Sequence, residues 1–198
     1  MIKAIFFDIH KVITQGDFRD IYRGFAKRTL IPLEKVVDYH EQNLGGLLLG
    51  SISSDQMLTD FGLEDTMTLK EMIDVWTEET VKNMVVDAEM TGLLKELRKS
   101  YRLAALTNLT EQRLGADMRM GLYDYFDYKV LSCGEGVKKP DREFFIRALE
   151  IVEVKPKEVI FVDDQLKNIK AAEELGIKSI QFTDYRSFKQ ELVSLGIV

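Results

Sequence analysis

The sequence predicts an α/β fold: a Rossmann-like, three-layer core with a parallel sheet, and a helical segment inserted after the first strand. Short apolar runs recur along the chain and stop abruptly at polar residues, as strands buried on both faces do. Helical patterns separate these runs, which favours right-handed βαβ units and a doubly wound sheet. One stretch of about seventy residues, 16–85, breaks this alternation because it is longer than any usual crossover.

The apolar runs predict five strands, of which the third is the weakest. In chain order they are Ile2–Phe7, Leu103–Leu106, Tyr128–Leu131, Val159–Val162 and Ile177–Phe182. The first is followed by Asp8, the second by Thr107 and the fourth by Asp163-Asp164. Ligands of doubly wound sheets bind at the carboxyl ends of the strands, so these polar residues are predicted to share one edge of the sheet.

Helical spacing of apolar residues fills the intervals between the strands. The segments are Met90–Lys99, Phe144–Leu149 and Ile169–Leu175, the last of which is closed by Gly176, a residue typical of a helix C-cap. We therefore predict one core formed by 1–15 and 86–198.

The insertion, 16–85, contains amphipathic patterns that predict a largely helical structure. Turns are expected at Gly45-Gly46, Gly50-Ser51 and Gly62 because glycine interrupts helices. We expect its polar residues Arg19, Arg23 and His40 to face solvent.

Composition limits the partners and the location of the protein. The net charge of −6 disfavours nonspecific binding to nucleic acid or to an anionic membrane, but it still permits a small phosphorylated substrate at a local positive site. No apolar stretch approaches the roughly 20 residues of a membrane span, and the run after Met1 is too short for a secretory leader. Cys133 is the only cysteine, so an internal disulfide is excluded and a cytoplasmic, reducing setting is expected.

The polar residues at the predicted sheet edge have chemistry that suits a phosphate ester. The carboxylate of Asp8 can attack phosphorus, and Asp163-Asp164 offers the oxygen ligands that Mg²⁺ prefers. Thr107-Asn108 could bind a phosphoryl oxygen or could cap the following helix, and the acidic pair could also be a cap. Lys139 could neutralise phosphate charge or could be an ordinary solvated lysine. Taken singly, each residue leaves both interpretations open.

The order of these residues along the chain resembles the motif set of the haloacid dehalogenase superfamily. The matching segments are Ile5-Phe6-Phe7-Asp8, Ala105-Leu106-Thr107-Asn108, Gly136-Val137-Lys138-Lys139-Pro140-Asp141, and Val159-Ile160-Phe161-Val162-Asp163-Asp164 followed by Asn168, Ala171-Ala172 and Leu175-Gly176. The insertion is similar in position and character to the small helical cap of the superfamily's first subclass. Within it, Gly50-Ser51-Ile52-Ser53 resembles a turn of the branch that contains sugar-phosphate phosphatases and the N-terminal domain of soluble epoxide hydrolases.

The resemblance implies a magnesium-dependent phosphatase that acts on a small phosphorylated metabolite through an aspartyl-phosphate. Asp8 would be the nucleophile. Thr107, Asn108 and Lys139 would bind the phosphoryl group, and Lys139 would also balance its charge during catalysis. The cap would close over the site and supply substrate contacts. The sequence itself indicates neither the identity of the substrate nor an oligomeric state.

The same resemblance implies a metal site made largely of carboxylates. Mg²⁺ would be held by Asp8, by Asp164 with Asp163 close by, and by the backbone carbonyl of His10. Because this ligand at position 10 is a backbone group, the identity of the side chain there does not prevent metal binding.

Motif I departs from the superfamily's pattern at two positions. Most of its phosphatases have a second Asp two residues after the nucleophile, followed by Gly, whereas this chain has His10 and Lys11. That Asp protonates the leaving oxygen and then activates water. His10 could perform this acid–base catalysis, since its reference pKa is about 6.5, or water or the substrate could supply the proton. A third interpretation is that catalysis is impaired and the protein has a binding or regulatory function.

Two further questions stay open at this point. A haloacid dehalogenase, which also attacks through an Asp but needs no Mg²⁺, is the alternative enzyme, although Asp163-Asp164 favours a metal enzyme. Lys11 adds bulk and charge where glycine would allow close packing. It could recruit an anionic substrate, partly occlude the site or point to solvent.

Overall fold

The structure is a computed structural model that describes all 198 residues, Met1–Val198. A five-stranded parallel sheet is formed by β1 (Ala4–Phe7), β4 (Arg102–Thr107), β5 (Tyr128–Leu131), β6 (Val159–Asp163) and β7 (Lys178–Gln181). A separate antiparallel ribbon is formed by β2 (Thr14–Gln15) and β3 (Val85–Val86).

Ten α-helices accompany these strands. They are α1 (Phe18–Thr29), α2 (Leu33–Leu49), α3 (Ser54–Phe61), α4 (Leu69–Asn83), α5 (Ala88–Leu97), α6 (Glu111–Arg119), α7 (Ser132–Glu135), α8 (Arg142–Val152), α9 (Leu166–Glu174) and α10 (Tyr185–Ser194). None of them combines the length and the apolar character needed to cross a membrane.

The sheet has the order β5-β4-β1-β6-β7, so that β1 lies at its centre. Alternate residues of β1 enter opposite cores: Ile5 and Phe7 pack with α5 and α10, whereas Ala4 and Phe6 pack with α8 and α9. Because both faces are covered, the strands are apolar throughout, which is why their runs were visible in the sequence. The predicted Rossmann-like fold is confirmed.

Helices α1–α4, which we call the helical unit, pack around a third apolar core that includes Phe25 and Trp76. The unit is joined to the sheet through the β2–β3 ribbon, in which Thr14 pairs with Val86. Gly16 is required beside this ribbon, because a Cβ there would lie 2.5 Å from the carbonyl oxygen of Asn83. The boundaries predicted from the sequence, 15/16 and 85/86, fall at the same ribbon.

The turn predicted at Gly45-Gly46 is wrong, because both residues lie inside α2. The apolar face of α2 continues through Leu47, and Gly46 leaves the space in which Ile52 packs, since a Cβ there would be 2.6 Å from Cδ1 of Ile52. The helix ends only at Gly50, in a left-handed conformation with φ of 70°.

The expectation that His40 faces solvent is also wrong. Its side chain is 4% exposed, and its ring stacks between Tyr22 and Trp76, each at a centroid distance of 4.8 Å. Nδ1 lies 2.8 Å from the carbonyl oxygen of Val36. Burial lowers the pKa of His40, so the neutral ring belongs to the core of the helical unit.

Candidate active site

Asp8 follows the central strand β1 directly and lies at the carboxyl edge of the sheet. The residue is 6% exposed. Its Oδ1 accepts a hydrogen bond of 2.8 Å from the N–H of Ile9 and lies 2.9 Å from Nζ of Lys139. Burial raises the pKa of the Asp8 carboxyl, and the neighbouring ammonium opposes that shift. The geometry therefore holds one carboxylate oxygen in place and pairs it with a positive charge.

Lys139 is the buried cation of the site, with a side chain that is 1% exposed. Its Nζ lies between two carboxylates, 2.9 Å from Oδ1 of Asp8 and 2.7 Å from Oδ2 of Asp163. Burial alone would lower the pKa of Lys139, but these two carboxylates raise it above its ordinary value. The ammonium is therefore kept charged next to the candidate nucleophile.

The side chain of Asn108 hydrogen-bonds both the N–H and the carbonyl oxygen of Lys139. Its Nδ2 donates to the carbonyl oxygen of Lys139, and its Oδ1 accepts from the N–H of Lys139, each at 2.8 Å. The predicted phosphate ligand Asn108 is thus an anchor for Lys139. A direct contact between Asn108 and substrate remains a prediction.

Thr107, the other predicted phosphate ligand, is the last residue of β4 and is 3% exposed. Because β4 pairs directly with β1, Thr107 lies at the sheet edge beside the strand that carries Asp8. On the other side of β1, strand β6 delivers Asp163 to the same edge. The sheet order therefore brings together side chains that are far apart in the chain.

The acidic pair combines one fixed and one more accessible carboxylate. Asp163 is fully buried, and its Oδ1 accepts hydrogen bonds from the N–H of Gln165 at 2.8 Å and from Nδ2 of Asn168 at 2.9 Å. Asp164 is partly exposed. Its pKa is raised mainly by burial and, to a smaller extent, by the nearby carboxylate of Asp163. Carboxylate oxygens from Asp8, Asp163 and Asp164 all lie within 4.8 Å of one another. Three oxygen donors at this spacing fit a cation that binds oxygen at about 2.0–2.1 Å, such as Mg²⁺.

His10 lies two residues after Asp8, and its ring packs against Phe18 of α1 at a centroid distance of 4.7 Å. Its Nδ1 is buried and has no hydrogen-bond partner in the protein. Burial, together with the positive charges of Arg113 and Lys11, lowers the pKa of His10 to about 4. The imidazole is therefore neutral at neutral pH.

Lys11 adopts the left-handed conformation that glycine favours, with φ of 63°. Its side chain is 61% exposed, and its Nζ lies 3.9 Å from Oδ2 of Asp164. The lysine therefore neither fills the site nor points wholly away from it. It places a solvated positive charge at the rim, next to one of the candidate metal ligands.

Contacts between α6 and the helical unit lie beside the site, and the sequence-based reasoning missed them. At the start of α6, Oε2 of Glu111 accepts from the N–H and Oγ of Ser54 at 2.9 and 2.8 Å. Two residues later, the guanidinium carbon of Arg113 lies 5.1 Å from the ring of Phe18. Arg113 is 7% exposed and pairs through Nε with Asp117 at 3.0 Å. The i,i+4 spacing of Arg113 and Asp117 in the sequence is compatible with this ion pair, but the same spacing is usual on solvated helix faces.

The parallel strand order and the four polar segments at one sheet edge are typical of Rossmann-like α/β enzymes, whose sites lie at the carboxyl ends of the strands. The comparison with known families identifies the family. A family model described as haloacid dehalogenase-like hydrolase matches residues 2–176. The chain belongs to this family.

Two relatives and one solved structure illustrate the similarity. A D-ribitol-5-phosphate phosphatase from Bacteroides thetaiotaomicron is 29% identical over 203 residues, covering 97% of each chain. A sesquiterpene phosphatase from Aspergillus oryzae is 35% identical over 111 residues, and the match spans 55% of this chain but only 57% of that relative. A haloacid dehalogenase family enzyme from B. thetaiotaomicron, solved with magnesium and inorganic phosphate, superposes with a TM-score of 0.77 at 22% identity, covering 95% of this chain and 99% of the other.

Proposed function

We propose that this protein is a magnesium-dependent phosphatase that hydrolyses a small phosphorylated metabolite through an aspartyl-phosphate on Asp8. One observation carries the proposal: a buried carboxylate at the central strand end is paired with a buried ammonium and stands beside two further carboxylates. Asp8, Asp163 and Asp164 with Lys139 sum to a formal charge of −2 when all four are ionised, which a divalent cation balances.

In the first step, a carboxylate oxygen of Asp8 attacks phosphorus in line as the bond to the leaving oxygen breaks. The leaving oxygen takes its proton from water. Lys139 and Thr107 bind the transferring phosphoryl oxygens, and the ammonium balances the charge that spreads over them. The Asn108 anchor keeps Lys139 in position during this step.

In the second step, water attacks phosphorus, its proton passes to the neutral imidazole of His10, and the bond between phosphorus and the Asp8 oxygen breaks. The products are orthophosphate and the free carboxylate, and the imidazolium of His10 releases its proton to solvent, where it neutralises the hydroxide left when the leaving oxygen took its proton from water. The neutral state of the His10 ring at neutral pH and its place two residues after Asp8 support this assignment. In this proposal, His10 acts as a base and not as the donor of a proton to the leaving group.

Asp8, Asp163, Asp164 and the backbone carbonyl of His10 would hold Mg²⁺, since they offer the hard oxygen donors that this ion prefers. When bound, Mg²⁺ would screen the repulsion between the anionic nucleophile and the anionic substrate.

We further propose that the helical unit is a cap, which divides the chain into a core of 1–15 and 86–198 and a cap of 16–85. Its contacts with α6 and with α7 support this, because they bring α2, α3 and α4 to the carboxyl edge of the sheet. A cap at this position excludes water and contacts the leaving group. The dehalogenase and the catalytically impaired protein remain the two competing hypotheses.

The test is hydrolysis of p-nitrophenyl phosphate and a panel of small phosphate esters, with Mg²⁺ and with EDTA. We expect metal-dependent turnover that is lost in Asp8→Asn and retained in Asp141→Asn, an exposed acid of the same Lys139 segment. Turnover of 2-chloropropionate without Mg²⁺ would favour the dehalogenase instead. Binding of Mg²⁺ without turnover of any ester would favour the impaired protein.

A further inference from the structure

Glu111, the first residue of α6, places its carboxylate on the N-terminus of a helix of the helical unit. Its Oε2 accepts hydrogen bonds from the N–H of Ser54 at 2.9 Å and from Oγ of Ser54 at 2.8 Å. Ser54 is the first residue of α3 and is 2% exposed. The first N–H groups of a helix have no partner within the helix, and a negative charge is favoured at this end. A carboxylate of the core therefore supplies a partner that α3 itself lacks.

The turn between α2 and α3, residues 50–54, touches the core at both of its ends, and we call it the docked turn. At one end, a Cβ added to Gly50 would lie 2.2 Å from the carbonyl oxygen of Cys133. At the other end, Ser54 donates its two hydrogen bonds to Glu111. Cys133 follows β5 and Glu111 follows β4, and these two strands are paired in the sheet. The docked turn therefore rests on the loops of two neighbouring strands, at their carboxyl ends.

The same two loops carry the proposed phosphate ligands. Glu111 lies four residues after Thr107, the last residue of β4. Between them, the N–H of Leu109 donates to Oγ of Ser132 at 3.0 Å, which ties the loop after β4 to the loop after β5. The loop after β5 leads on to Lys139, whose N–H and carbonyl oxygen are hydrogen-bonded to the loop after β4. The docked turn is thus attached to the frame that holds Thr107 and Lys139.

Beside the β2–β3 ribbon, the helical unit meets the core through a broader contact. Helix α4 packs along α6, and a Cβ at Gly115 of α6 would lie 3.2 Å from Oγ1 of Thr77 of α4. Met120, directly after α6, packs against both the sheet core and the core of the helical unit. Helix α4 ends at Asn83, two residues before β3. The broad contact next to the connection suits a pivot, whereas the two hydrogen bonds at the docked turn suit a contact that opens.

We infer that Glu111 is a positioning residue: it latches the docked turn onto the carboxyl edge and so keeps the helical unit closed while the ester reacts. This inference rests on the proposed phosphatase function and on the proposed cap. If the carboxylate is removed, the buried N–H and Oγ of Ser54 lose their partner, which costs free energy as long as they stay buried. Water satisfies both groups only when the docked turn moves away from the core. Loss of the Glu111 carboxylate therefore favours an open arrangement.

The first experiment measures release of the docked turn through Cys133, the only cysteine of the chain. Its thiol is half-buried, and burial raises its pKa, so its reaction with DTNB is expected to be slow while the turn is docked. We expect Glu111→Ala to raise this rate at least about fivefold, since two hydrogen bonds are lost. Glu111→Gln keeps an oxygen that accepts from both groups of Ser54 and should stay within about twofold of the wild type. Glu174→Ala, an exposed acid of α9, is the control and should match the wild type.

Ser54→Ala tests the same contact from the other side. It removes the Oγ–H donor and leaves the N–H in place, so it should raise the thiol rate by a smaller factor than Glu111→Ala does. In the Glu111→Ala background it should have no further effect, because the two residues share one interaction. If Glu111→Ala does not fold, a wild-type thiol rate in the single Ser54→Ala variant would overturn the inference.

The second experiment separates a latch from a residue that only shapes the loop of Thr107. In Glu111→Ala, we expect kcat/KM for propyl phosphate to fall about fivefold or more. The inhibition constant of inorganic phosphate, which has no leaving group for the cap to cover, should change less than about twofold. Equal losses in both would overturn the latch and indicate that Glu111 supports the phosphate ligands directly.

Two further outcomes decide the matter. An unchanged kcat/KM in Glu111→Ala, at any thiol rate, would overturn the inference and leave the phosphatase function in place. A wild type that hydrolyses no phosphate ester would overturn the proposed function, and with it the role of Glu111 in turnover. The thiol rates would then decide alone whether Glu111 holds the docked turn.

Discussion

At the scale of single residues, Lys11 combines an unfavourable backbone conformation with a charge near the candidate metal ligands. A left-handed conformation costs a non-glycine residue about 1–2 kcal/mol. The ammonium lies 3.9 Å from a carboxylate oxygen of Asp164, so it competes with a divalent cation for that oxygen. The two effects are separable, because one belongs to the backbone and the other to the side chain.

We expect Lys11→Gly to lower the half-saturating Mg²⁺ concentration about two- to fivefold, the range of an exposed ion pair, and to leave stability unchanged or up to about 1 kcal/mol higher. Lys11→Met is the control, since it removes the charge and keeps the strained backbone. It should reproduce the Mg²⁺ effect without the gain in stability. Magnesium titrations of activity and urea unfolding measure the two quantities. No change in Mg²⁺ dependence in either variant would show that the lysine does not affect the metal.

His10→Gln distinguishes the proposed base from a general acid. Loss of a base that activates water slows the breakdown of the aspartyl-phosphate, a step common to all substrates. We therefore expect turnover to fall by about 10²-fold and by the same factor for p-nitrophenyl phosphate and for alkyl phosphates. Steady-state kinetics on both ester types measure this. A loss confined to alkyl phosphates, whose leaving groups need a proton, would instead identify His10 as the acid.

At the scale of secondary-structure elements, the C-terminus of α2 packs closely against α7 of the core. Gly50 ends this helix with φ of 70°, and a Cβ added there would lie 2.2 Å from the carbonyl oxygen of Cys133. No side chain fits this approach of two backbones. Any larger residue must therefore move α2 away from α7.

We expect Gly50→Ala to lower the free energy of unfolding by about 1–2 kcal/mol from backbone strain alone, and to reduce turnover by loosening the helical unit. Gly45→Ala on the same helix is the matched control, because nothing lies within 4 Å of its Cβ position and alanine favours helix by about 1 kcal/mol. Urea unfolding and kcat measure the effects. Equal stability of the two variants would contradict the contact with Cys133.

The aromatic stack that joins α1, α2 and α4 makes the stability of the helical unit depend on pH. His40 is neutral between Tyr22 and Trp76 and has a lowered pKa. Between that pKa and the unfolded value of about 6.5, the unfolded chain binds the extra proton. Stability is therefore complete above about pH 6.5 and falls as the pH drops below it.

We expect the free energy of unfolding of His40→Phe to fall less than that of the wild type as the pH drops below about 6.5. Phenylalanine keeps the aromatic stack and cannot take up a proton. The difference in slope between wild type and variant is at most about 1.4 kcal/mol per pH unit. Urea unfolding at pH 7.5, 6.0 and 5.0 measures it. Parallel curves for the two proteins would mean that His40 titrates in the folded state as it does in the unfolded chain.

At the scale of the whole molecule, the proposed metal site of three close carboxylates exists only in the folded state. A ligand that binds only the folded state stabilises it by RT ln(1 + [L]/Kd). We expect Tm to rise with Mg²⁺ concentration, and Asp164→Asn to abolish most of that rise. Asp141→Asn should respond as the wild type does. A Tm that is independent of Mg²⁺ in the wild type would contradict the metal site without reference to catalysis.

Much of the core could be predicted from the sequence, because strands buried on two faces leave apolar runs and a parallel sheet brings strand ends together. That is why Asp8, Thr107 and Asp163 were expected at one edge. The surroundings of Arg113 and His40 could not be predicted in the same way. Each lies on an amphipathic helix, and its burial depends on a second helix distant in sequence, which periodicity alone does not reveal. The role of Asn108 was hidden for a related reason, since its partner is a backbone 31 residues away.

The β2–β3 ribbon has a consequence for how this protein can change over evolutionary time. The chain leaves the sheet at Thr14–Gln15 and returns at Val85–Val86, at positions that pair with each other. Insertions, deletions and substitutions in α1–α4 therefore leave the order and register of the parallel strands untouched. Variation can act on the proposed cap while Asp8 and Lys139, the proposed nucleophile and its cation, are inherited unchanged. In such an architecture, new substrate preferences can arise by successive substitutions in α1–α4 that leave the side chains at the carboxyl edge of the sheet unchanged.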